Sequence, residues 1–371
     1  MWYFQRLSWQ YWGCRNIFVD RVSIFRFMSL RVVEVGALSR LEESPQEYQK
    51  LLRSSGEDPL FLNLDWLSAW WNAFGEDKSQ LILRVMERGR TVGYAPLVKS
   101  SRGRTRWTKV EFMGAGPSDR CGIIAENGRA DVQAAVWEHL RQQDEWDVLE
   151  LRDLRQGGPT ERAVRSAFPQ AEQVSYTAPC ITLNGSHRAY LASLSRNMRY
   201  NLGRGWRRLQ DEGVFFQPMR TADEVSVAVE WLNELNDQRW QASSTLRTPG
   251  MPQFVREVSQ RLAGQGVVFH ALRTRDSAIA IAMGLEDEGR YLYYLSGFGP
   301  ELARYSPGTV LLSKIIEECH QLGRKEVDLL RGEEPYKYRF NAQDRAQMHV
   351  RTVNRGIMRR TQYALREAPL V

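Results

Sequence analysis

The residues with the most chemical promise lie close together near the C-terminal end. Asp328 sits in a short apolar run, Glu326 to Leu330, and the polar segment Arg331-Gly332-Glu333-Glu334-Pro335-Tyr336-Lys337 follows at once. Acids, a tyrosine and a lysine in one short loop are groups that give, take or neutralise protons. Upstream, Tyr291 to Leu295 is an aromatic, β-favouring run. A loop with two glycines then leads to Ser306-Pro307-Gly308-Thr309, and Leu311, Leu312, Ile315, Ile316 and Cys319 recur at the three/four spacing of a helix. Ser306 reads as the N-cap of that helix and Pro307 as its first residue. A helix start leaves N–H groups without partners and favours negative charge, so an anion such as a phosphate settles there. The order strand, loop, helix, strand, charged loop aims those groups at a cleft beside the acids. The same order also describes an ordinary packing unit, and Asp328 in an apolar strand also reads as a buried structural acid.

Two further helices must position this chemistry. Leu191, Leu194, Met198, Leu202, Trp206 and Leu209 form one apolar face, with Arg196, Arg199 and Arg207 on another and Arg204 and Arg208 nearby. That basic face is either solvated or an arginine cluster holding phosphate or carboxylate groups, with Arg196 and Arg199 as the substrate-binding candidates. Gly203 and Gly205 each cost about 1 kcal/mol inside a helix, so either something approaches the backbone closely there or the helix breaks. In the helix Asp223 to Trp240, Leu232, Asn236 and Arg239 are three or four apart, with Trp240 adjacent. A polar pair extending an apolar face marks a cleft edge. Gln241 to Gly250, rich in Ser and Thr, reads as a lid or a plain surface loop.

The chain reads as two matching halves. The first runs helix (Leu64 to Phe74), three strands (from Leu81, Thr91 and Val110), helix (Ala134 to Leu140), strand (from Asp147), helix (Thr160 to Phe168) and strand (within Gln173 to Leu183). Leu64, Leu67, Trp70, Trp71 and Phe74 read as core packers. The second half repeats that order: a strand from Val214, helices Asp223 to Trp240 and Pro252 to Ala263, strands from Val267, Ala278 and Tyr291, then the Pro307 helix, the Asp328 strand and a last strand, Met348 to Val353. Between third strand and helix the first half offers GAGPSDRCG, where the second offers RYSPG. The boundaries are 31–184 and 185–371. Residues 1–30 alternate aromatics with arginine and read as an extension before a start at Met28, or as an amphipathic arm at a membrane surface.

The 371 residues suit two domains, and 43% hydrophobic residues with twelve Trp supply real cores. No run approaches the roughly 18 apolar residues of a membrane span. Four Cys without metal-ligand spacing indicate neither zinc nor a disulfide framework, and a reducing cytoplasm is the default. A net charge of +7 fits nucleic acid, an anionic co-substrate or solubility alone.

The Pro307 helix, the Asp328 strand and the tail RGEEPYKYRF resemble the C-terminal half of the CelD-type acetyltransferases of the GNAT superfamily, and SLSRNMRYNLGRGWRRL, Ser193 to Leu209, resembles the start of the same domain. The resemblance covers residues 45–355 and is more specific in the second half. It implies an α/β fold with a mixed sheet: tandem GNAT-like domains as in the Fem-type aminoacyltransferases, with an acceptor cleft between them. It also implies acyl transfer from a thioester, acyl-CoA and above all acetyl-CoA, to an amine or hydroxyl of a saccharide-type acceptor in polysaccharide synthesis. On that reading Ser296, Ser306, Pro307, Gly308 and Thr309 hold the donor. Backbone N–H groups of Tyr291 to Ser296 polarise its carbonyl, Asp328 or Glu333 takes the nucleophile's proton, and Tyr336 protonates the leaving thiolate. Lys337 neutralises charge, and Arg239 belongs to the catalytic group, with Asn236 and Trp240 against the substrate. The family carries a His in the pattern H-x-x-R-W where this chain has Asn236-Asp237-Gln238-Arg239-Trp240. An amide does not titrate, so the chain is altered there or uses Asn236 for positioning. Two other readings stay open: transfer from aminoacyl-tRNA, and a non-catalytic accessory protein on a degenerate fold. No metal and no DNA are expected.

Overall fold

The computed structural model describes residues 30–102, 107–240, 245–287 and 289–354. The N-terminal extension expected before Met28 lies outside the described residues. The first half supplies β1 (Leu30–Val35), α1 (Ser39–Glu42), α2 (Pro45–Ser55), α3 (Leu64–Phe74), β2 (Lys78–Glu87), β3 (Arg90–Arg102), β4 (Trp107–Phe112), β5 (Ile124–Ala125), α4 (Ala130–Arg141), β6 (Val148–Arg155), α5 (Pro159–Ala167) and β7 (Glu172–Thr182). The second supplies α6 (His187–Ser193), α7 (Arg196–Asp211), β8 (Phe215–Met219), α8 (Ala222–Trp240), α9 (Met251–Arg261), β9 (Val267–Arg273), β10 (Ala278–Glu286), β11 (Arg290–Phe298), α10 (Pro307–Gln321), β12 (Glu326–Asp328), α11 (Pro335–Tyr338) and β13 (Gln343–Val353). The expected repeat is there: α3-β2-β3-β4-α4-β6-α5-β7 is matched by α9-β9-β10-β11-α10-β12-α11-β13.

All the strands join one mixed sheet in the order β1-β2-β3-β4-β6-β13-β7-β12-β11-β10-β9-β8, with β5 on β3. The two final strands are exchanged. β7, from the first half, pairs antiparallel with β12 of the second, and β13, from the second half, lies between β6 and β7. A cut at 184/185 therefore divides the sequence but not the sheet. The alternation that marks Met348 to Val353 as a strand does not tell which half will receive it, because pairing partners are set by the chain's return path.

Three cores hold the layers. One packs α4 and α5 on the first half-sheet and one packs α6, α7 and α10 on the second. The third is shared: Leu51, Trp66, Leu67 and Trp70 of α2 and α3 join Val225 and Leu232 of α8 and Phe254 and Val255 of α9. Trp66 meets Phe254 edge-on at 4.9 Å and Tyr294 at 5.5 Å, and such aromatic pairs contribute about 0.5–1.5 kcal/mol beyond burial. α3 starts where the sequence permits, since the Asn63 side chain accepts the Trp66 N–H at 2.8 Å.

The arginine-rich segment is two helices, not one. Leu194 and Ser195 are extended, and the Ser195 hydroxyl caps α7 by accepting the Met198 N–H at 3.2 Å. α7 then runs unbroken through Gly203 and Gly205. Gly205 has its reason in a close approach: a Cβ there would lie 2.8 Å from the Tyr305 carbonyl oxygen. Gly203 faces open space.

Candidate active site

The cleft forms where two parallel strands part. β11 and β12 pair only over Arg290–Leu292 and Glu326–Asp328. Beyond Leu292 the strand keeps its antiparallel partner β10 but loses β12. The register with β10 also slips: Met283 lies opposite Leu295 and Gly284 opposite Tyr293, so Tyr294 has no opposite number. This is a β-bulge, a device that re-aims side chains and frees backbone groups. At the parting opens a cavity of ≈ 980 Å³. Tyr293 to Ser296, Leu329 to Arg331, Glu334, Tyr336 and Lys337 line it from the second half, with Asn236, Thr245, Thr248 and Met251. The first half contributes Trp70, Phe74, Lys78, Lys109, Glu111, Ala115 to Pro117, Asp119 and Arg152.

One loop of the first half forms the cavity's edge, and three aromatic donors fix it. Trp66 Nε1 donates to Ser118 Oγ at 2.9 Å, Trp70 Nε1 to the Ala115 carbonyl at 3.1 Å and the Tyr294 hydroxyl to the Pro117 carbonyl at 2.9 Å. Trp70 is thus a core residue, as its spacing implies, and a cavity residue as well. The loop holds Asp119 in the wall. Its Oδ1 lies 2.6 Å from Arg331 Nε, but out of line for a hydrogen bond. Burial pushes the Asp119 carboxyl up to about 6; Arg331 pulls the other way and Asp153 adds to the rise. Arg331 also reaches Asp153 Oδ1 at 3.2 Å. Burial, with Asp119 nearby, likewise raises the Tyr294 hydroxyl far above its ordinary value.

The residues singled out from sequence divide sharply. Asn236, Ser296, Tyr336 and Lys337 line the cavity. Asn236 is buried and its Nδ2 donates to the Ser296 carbonyl at 3.3 Å, which ties α8 to the free part of β11. Lys337 is buried too. Its Nζ donates to the carbonyls of Leu330, Arg331 and Gly332 at 3.3, 2.8 and 3.0 Å and meets Glu334 Oε2 at 2.9 Å. The ammonium therefore closes the charged loop on itself. Of the two neighbouring acids it is Glu334 that lines the cavity. Glu333 is exposed and accepts the Thr177 hydroxyl at 2.7 Å.

Asp328 does not line the cavity. It is fully buried, accepts the Leu330 N–H at 2.9 Å and pairs with Arg120. Ser306 precedes α10 but does not cap it: it has a left-handed backbone (φ 55°) and its side chain makes no cap bond. Its carbonyl instead accepts the Thr309 and Val310 N–H groups at 3.0 and 3.1 Å, so those N–H groups are spent. Ser306, Pro307, Gly308 and Thr309 lie outside the cavity lining, and the Gly308 position packs against the Phe298 ring. Arg199 turns to its own chain, donating to the Ala192 and Leu194 carbonyls at 3.0 and 2.5 Å. Those are the free carbonyls at the end of α6, which need a donor. Arg196 is exposed on α7, outside the lining. The side chains of Arg239 and Trp240, and residues 241–244 of the Ser/Thr-rich loop, lie outside the described residues.

Sequence reasoning missed Asp119, Glu334, Arg331 and Tyr294. Asp119 had a signal: an acid in a glycine-rich loop at the place where the other half begins its helix. Among the described residues, Cys121, Cys180 and Cys319 are buried and unpaired, and burial pushes the Cys180 and Cys319 thiols up to about 12. Cys180, Glu326 and Asp328 stand within 4.8 Å of one another, but the two acids already pair with Arg345 and Arg120.

Residues 196–338 match the family model described as an acetyltransferase (GNAT) domain. That match lies within the second half of the chain. In the solved structures the likeness covers both halves. A structure titled as FemX superposes with a TM-score of 0.64 at 7% identity, over 90% of this chain and 99% of that one. A tandem GNAT protein from the clavulanic acid biosynthesis pathway gives 0.51 at 13%, over 88% and 98%. The C-terminal domain of a putative lysylphosphatidylglycerol synthetase from Agrobacterium fabrum gives 0.53 at 12%, over 85% and 93%. At these identities the likeness is one of fold. No curated protein matches the sequence. No helix among the described residues is long and apolar enough to cross a membrane.

Proposed function

We propose that the chain moves an acyl group, above all acetyl, from acyl-CoA to an amine or hydroxyl of a saccharide-type acceptor. The observation that carries this reading is the parting of β11 from β12 at the Tyr294 bulge, opening on a cavity that both halves line. A strand edge released from its neighbour offers N–H groups to a thioester carbonyl, where negative charge develops during transfer. Ser296 stands at that edge, and Asn236 holds the strand there rather than titrating.

In such a transfer the acceptor's nitrogen or oxygen bonds to the acyl carbon, the carbon–sulfur bond breaks and the nucleophile loses a proton. Asp119 is the base this geometry supports best. It lines the cavity, and its raised carboxyl is ionised yet basic near neutral pH. Tyr336, which lines the same cavity from the second half, is the candidate acid for the leaving thiolate. The resemblance to the CelD-type family extends the proposal to polysaccharide synthesis in the cytoplasm.

The test is the melting temperature of the protein with and without millimolar acetyl-CoA, followed by thiol release with amino sugars. A ligand at a hundredfold excess over its Kd stabilises the native state by about 2.7 kcal/mol. No shift with any acyl-CoA would sink the donor assignment. Transfer from aminoacyl-tRNA is the second reading, and the exposed arginines 196, 204 and 207 on α7 favour it. Activity that survives nuclease treatment would eliminate it.

A further inference from the structure

A second bulge faces the loop that carries Asp119. Along β6 and β13, Val350 lies opposite Leu151 and Met348 opposite Leu154, so Arg152 and Asp153 together face the single residue His349. Asp153 takes up the extra length with a left-handed backbone, φ 62°. Asp and Asn tolerate that conformation better than other side chains, though at a cost. Such strain gathers where a site needs a side chain re-aimed. Here Arg152 goes to the cavity lining, and the Asp153 carboxylate turns inward and is fully buried.

The two exchanged strands fix that carboxylate. The Tyr176 hydroxyl of β7 donates to Asp153 Oδ1 at 2.6 Å, and burial, with Asp153 beside it, keeps that hydroxyl protonated, far above its ordinary value. β13 sets His349 opposite the bulge and Gln347 against the same hydroxyl. The Asp153 carbonyl accepts the Cys121 N–H at 2.9 Å, which ties the bulge to the Asp119 loop. Arg331 then stands between two acids. Its Nη1 donates to Asp153 Oδ1 at 3.2 Å, whereas its Nε approaches Asp119 Oδ1 at 2.6 Å without a hydrogen bond. The other charges facing Asp119 are Arg120 and Asp328, which pair with each other. Asp153 also faces His349, which burial holds below its ordinary value, and the Cys121 thiol, which burial pushes up. Arg120 is taken by Asp328 and Asp58, so Arg331 is the cation that the two remaining acids divide.

We propose that Asp153 is a positioning residue for Asp119: it holds the Arg331 guanidinium by an aligned hydrogen bond and so keeps that cation from closing on the base. The proposal rests on reading Asp119 as the base of the acyl transfer. A carboxylate that took the whole arginine fork would form a strong ion pair and accept a proton poorly. With the aligned bond given to Asp153, Asp119 keeps a cation beside it and remains basic. The like charge of Asp153 acts in the same direction. On this view the strand exchange serves the site, since Tyr176 and His349, which frame the bulge, come from the two strands that change places.

The experiment is a pH titration of the full chain by isotope-edited NMR of the aspartate carboxyls, without substrates, beside the pH profile of kcat. Asp119→Asn identifies the signal, and in the parent that carboxyl should titrate at about 6. Asp153→Asn keeps an acceptor and a side chain suited to the left-handed backbone. In that variant the Asp119 midpoint should fall by about one unit or more, the effect of an opposite charge coming into contact. The rising limb of the pH profile should move with it, and kcat on the plateau should drop. The shift should be smaller when Asp153→Asn is made in an Arg331→Gln background, where no cation is left to release. Equal shifts in the two backgrounds would show that Asp153 acts by repulsion alone and overturn the proposal. An unmoved midpoint, or activity lost at every pH with the limb in place, overturns it too. So does a parent Asp119 that titrates at or below the ordinary carboxylate range, a result that needs no variant. A midpoint that moves as expected in a chain without acyl transfer supports the hold on Arg331 and removes the reaction instead.

Discussion

Arg120 of the first half and Asp328 of the second form a buried ion pair across the seam. Arg120 Nη1 also meets Asp58 at 3.3 Å, and Asp58 takes Arg290 of β11 at 2.8 Å. One chain of charges thus links the loop carrying Asp119 to the paired ends of β11 and β12, just before they part. Asp328 does a second thing. By accepting the Leu330 N–H it holds Leu330 in a left-handed conformation (φ 56°), and that turn sends Arg331 across to Asp119.

The first prediction follows from that pair. Removing one partner of a buried ion pair costs about 3–5 kcal/mol when the other charge is left alone; Arg120 keeps Asp58, which places the loss at the lower end of that range. Asp328→Ala should lower the urea midpoint by a corresponding amount. Any lost turnover should return when the variant is assayed well below its melting temperature. Turnover abolished at unchanged stability would restore Asp328 as the base.

Asp119 predicts a pH dependence. With its carboxyl raised to about 6, the basic form fills as pH rises through that value, so the rate should rise with it. Asp119→Asn should lower kcat by roughly 10²–10⁴-fold and erase that limb from the pH profile. The stability sign is opposite. A carboxyl raised on folding binds its proton more tightly in the native state, so its contribution is largest below the ordinary carboxylate range and is lost as pH rises through about 6. Asp119→Asn should therefore be more stable than the parent at pH 8, with the difference fading toward pH 4. A flat stability difference across that range would show that the carboxyl is not raised.

How much of this was legible in the sequence turns on which properties are local. Helices with one apolar stripe, such as α10, and strands such as β9 and β10 announce themselves by period and propensity. So did the repeat, because turns and periods recur in the same order. The exchange of β7 and β13 is a long-range pairing with no local mark. Helix α2 was also missed, although Tyr48, Leu51 and Leu52 carry a helical stripe after Pro45. At the site, sequence could place Asn236, Ser296, Tyr336 and Lys337 near one another, since they lie at the ends of legible elements. It could not tell Glu333 from Glu334, which differ only in which way one turn points. Nor could it tell that Asp328 is bound to an arginine 208 positions away.

Lys337 gives the next prediction. Its ammonium gathers three carbonyls and Glu334, so it shapes the loop that lines the cavity instead of meeting substrate as a free charge. Lys337→Met leaves those carbonyls in need of donors at about 1–3 kcal/mol for each buried group. The amides of Arg331 to Glu334 should exchange hydrogen faster, and KM for both substrates should rise. A variant with normal exchange but lost kcat would show that the ammonium acts on the reaction itself.

The two glycines of α7 supply an internally controlled pair. Both lie in a continuous helix, where glycine costs about 1 kcal/mol against alanine. At Gly203 an added methyl meets nothing within 4 Å. Gly203→Ala should therefore raise stability by up to about 1 kcal/mol. At Gly205 the methyl would come within 2.8 Å of the Tyr305 carbonyl oxygen and 3.0 Å of Val310 Cγ2, so α7 must move away from the start of α10. Gly205→Ala should lose stability despite the better helix former, by about 1–3 kcal/mol as for other overpacked sites. Thermal melts of the two variants side by side decide the matter. Shifts of opposite sign would confirm that α7 and the Tyr305 to Val310 segment are in contact through a bare backbone. A gain at both positions would mean that the two helices stand further apart than the fold described above allows.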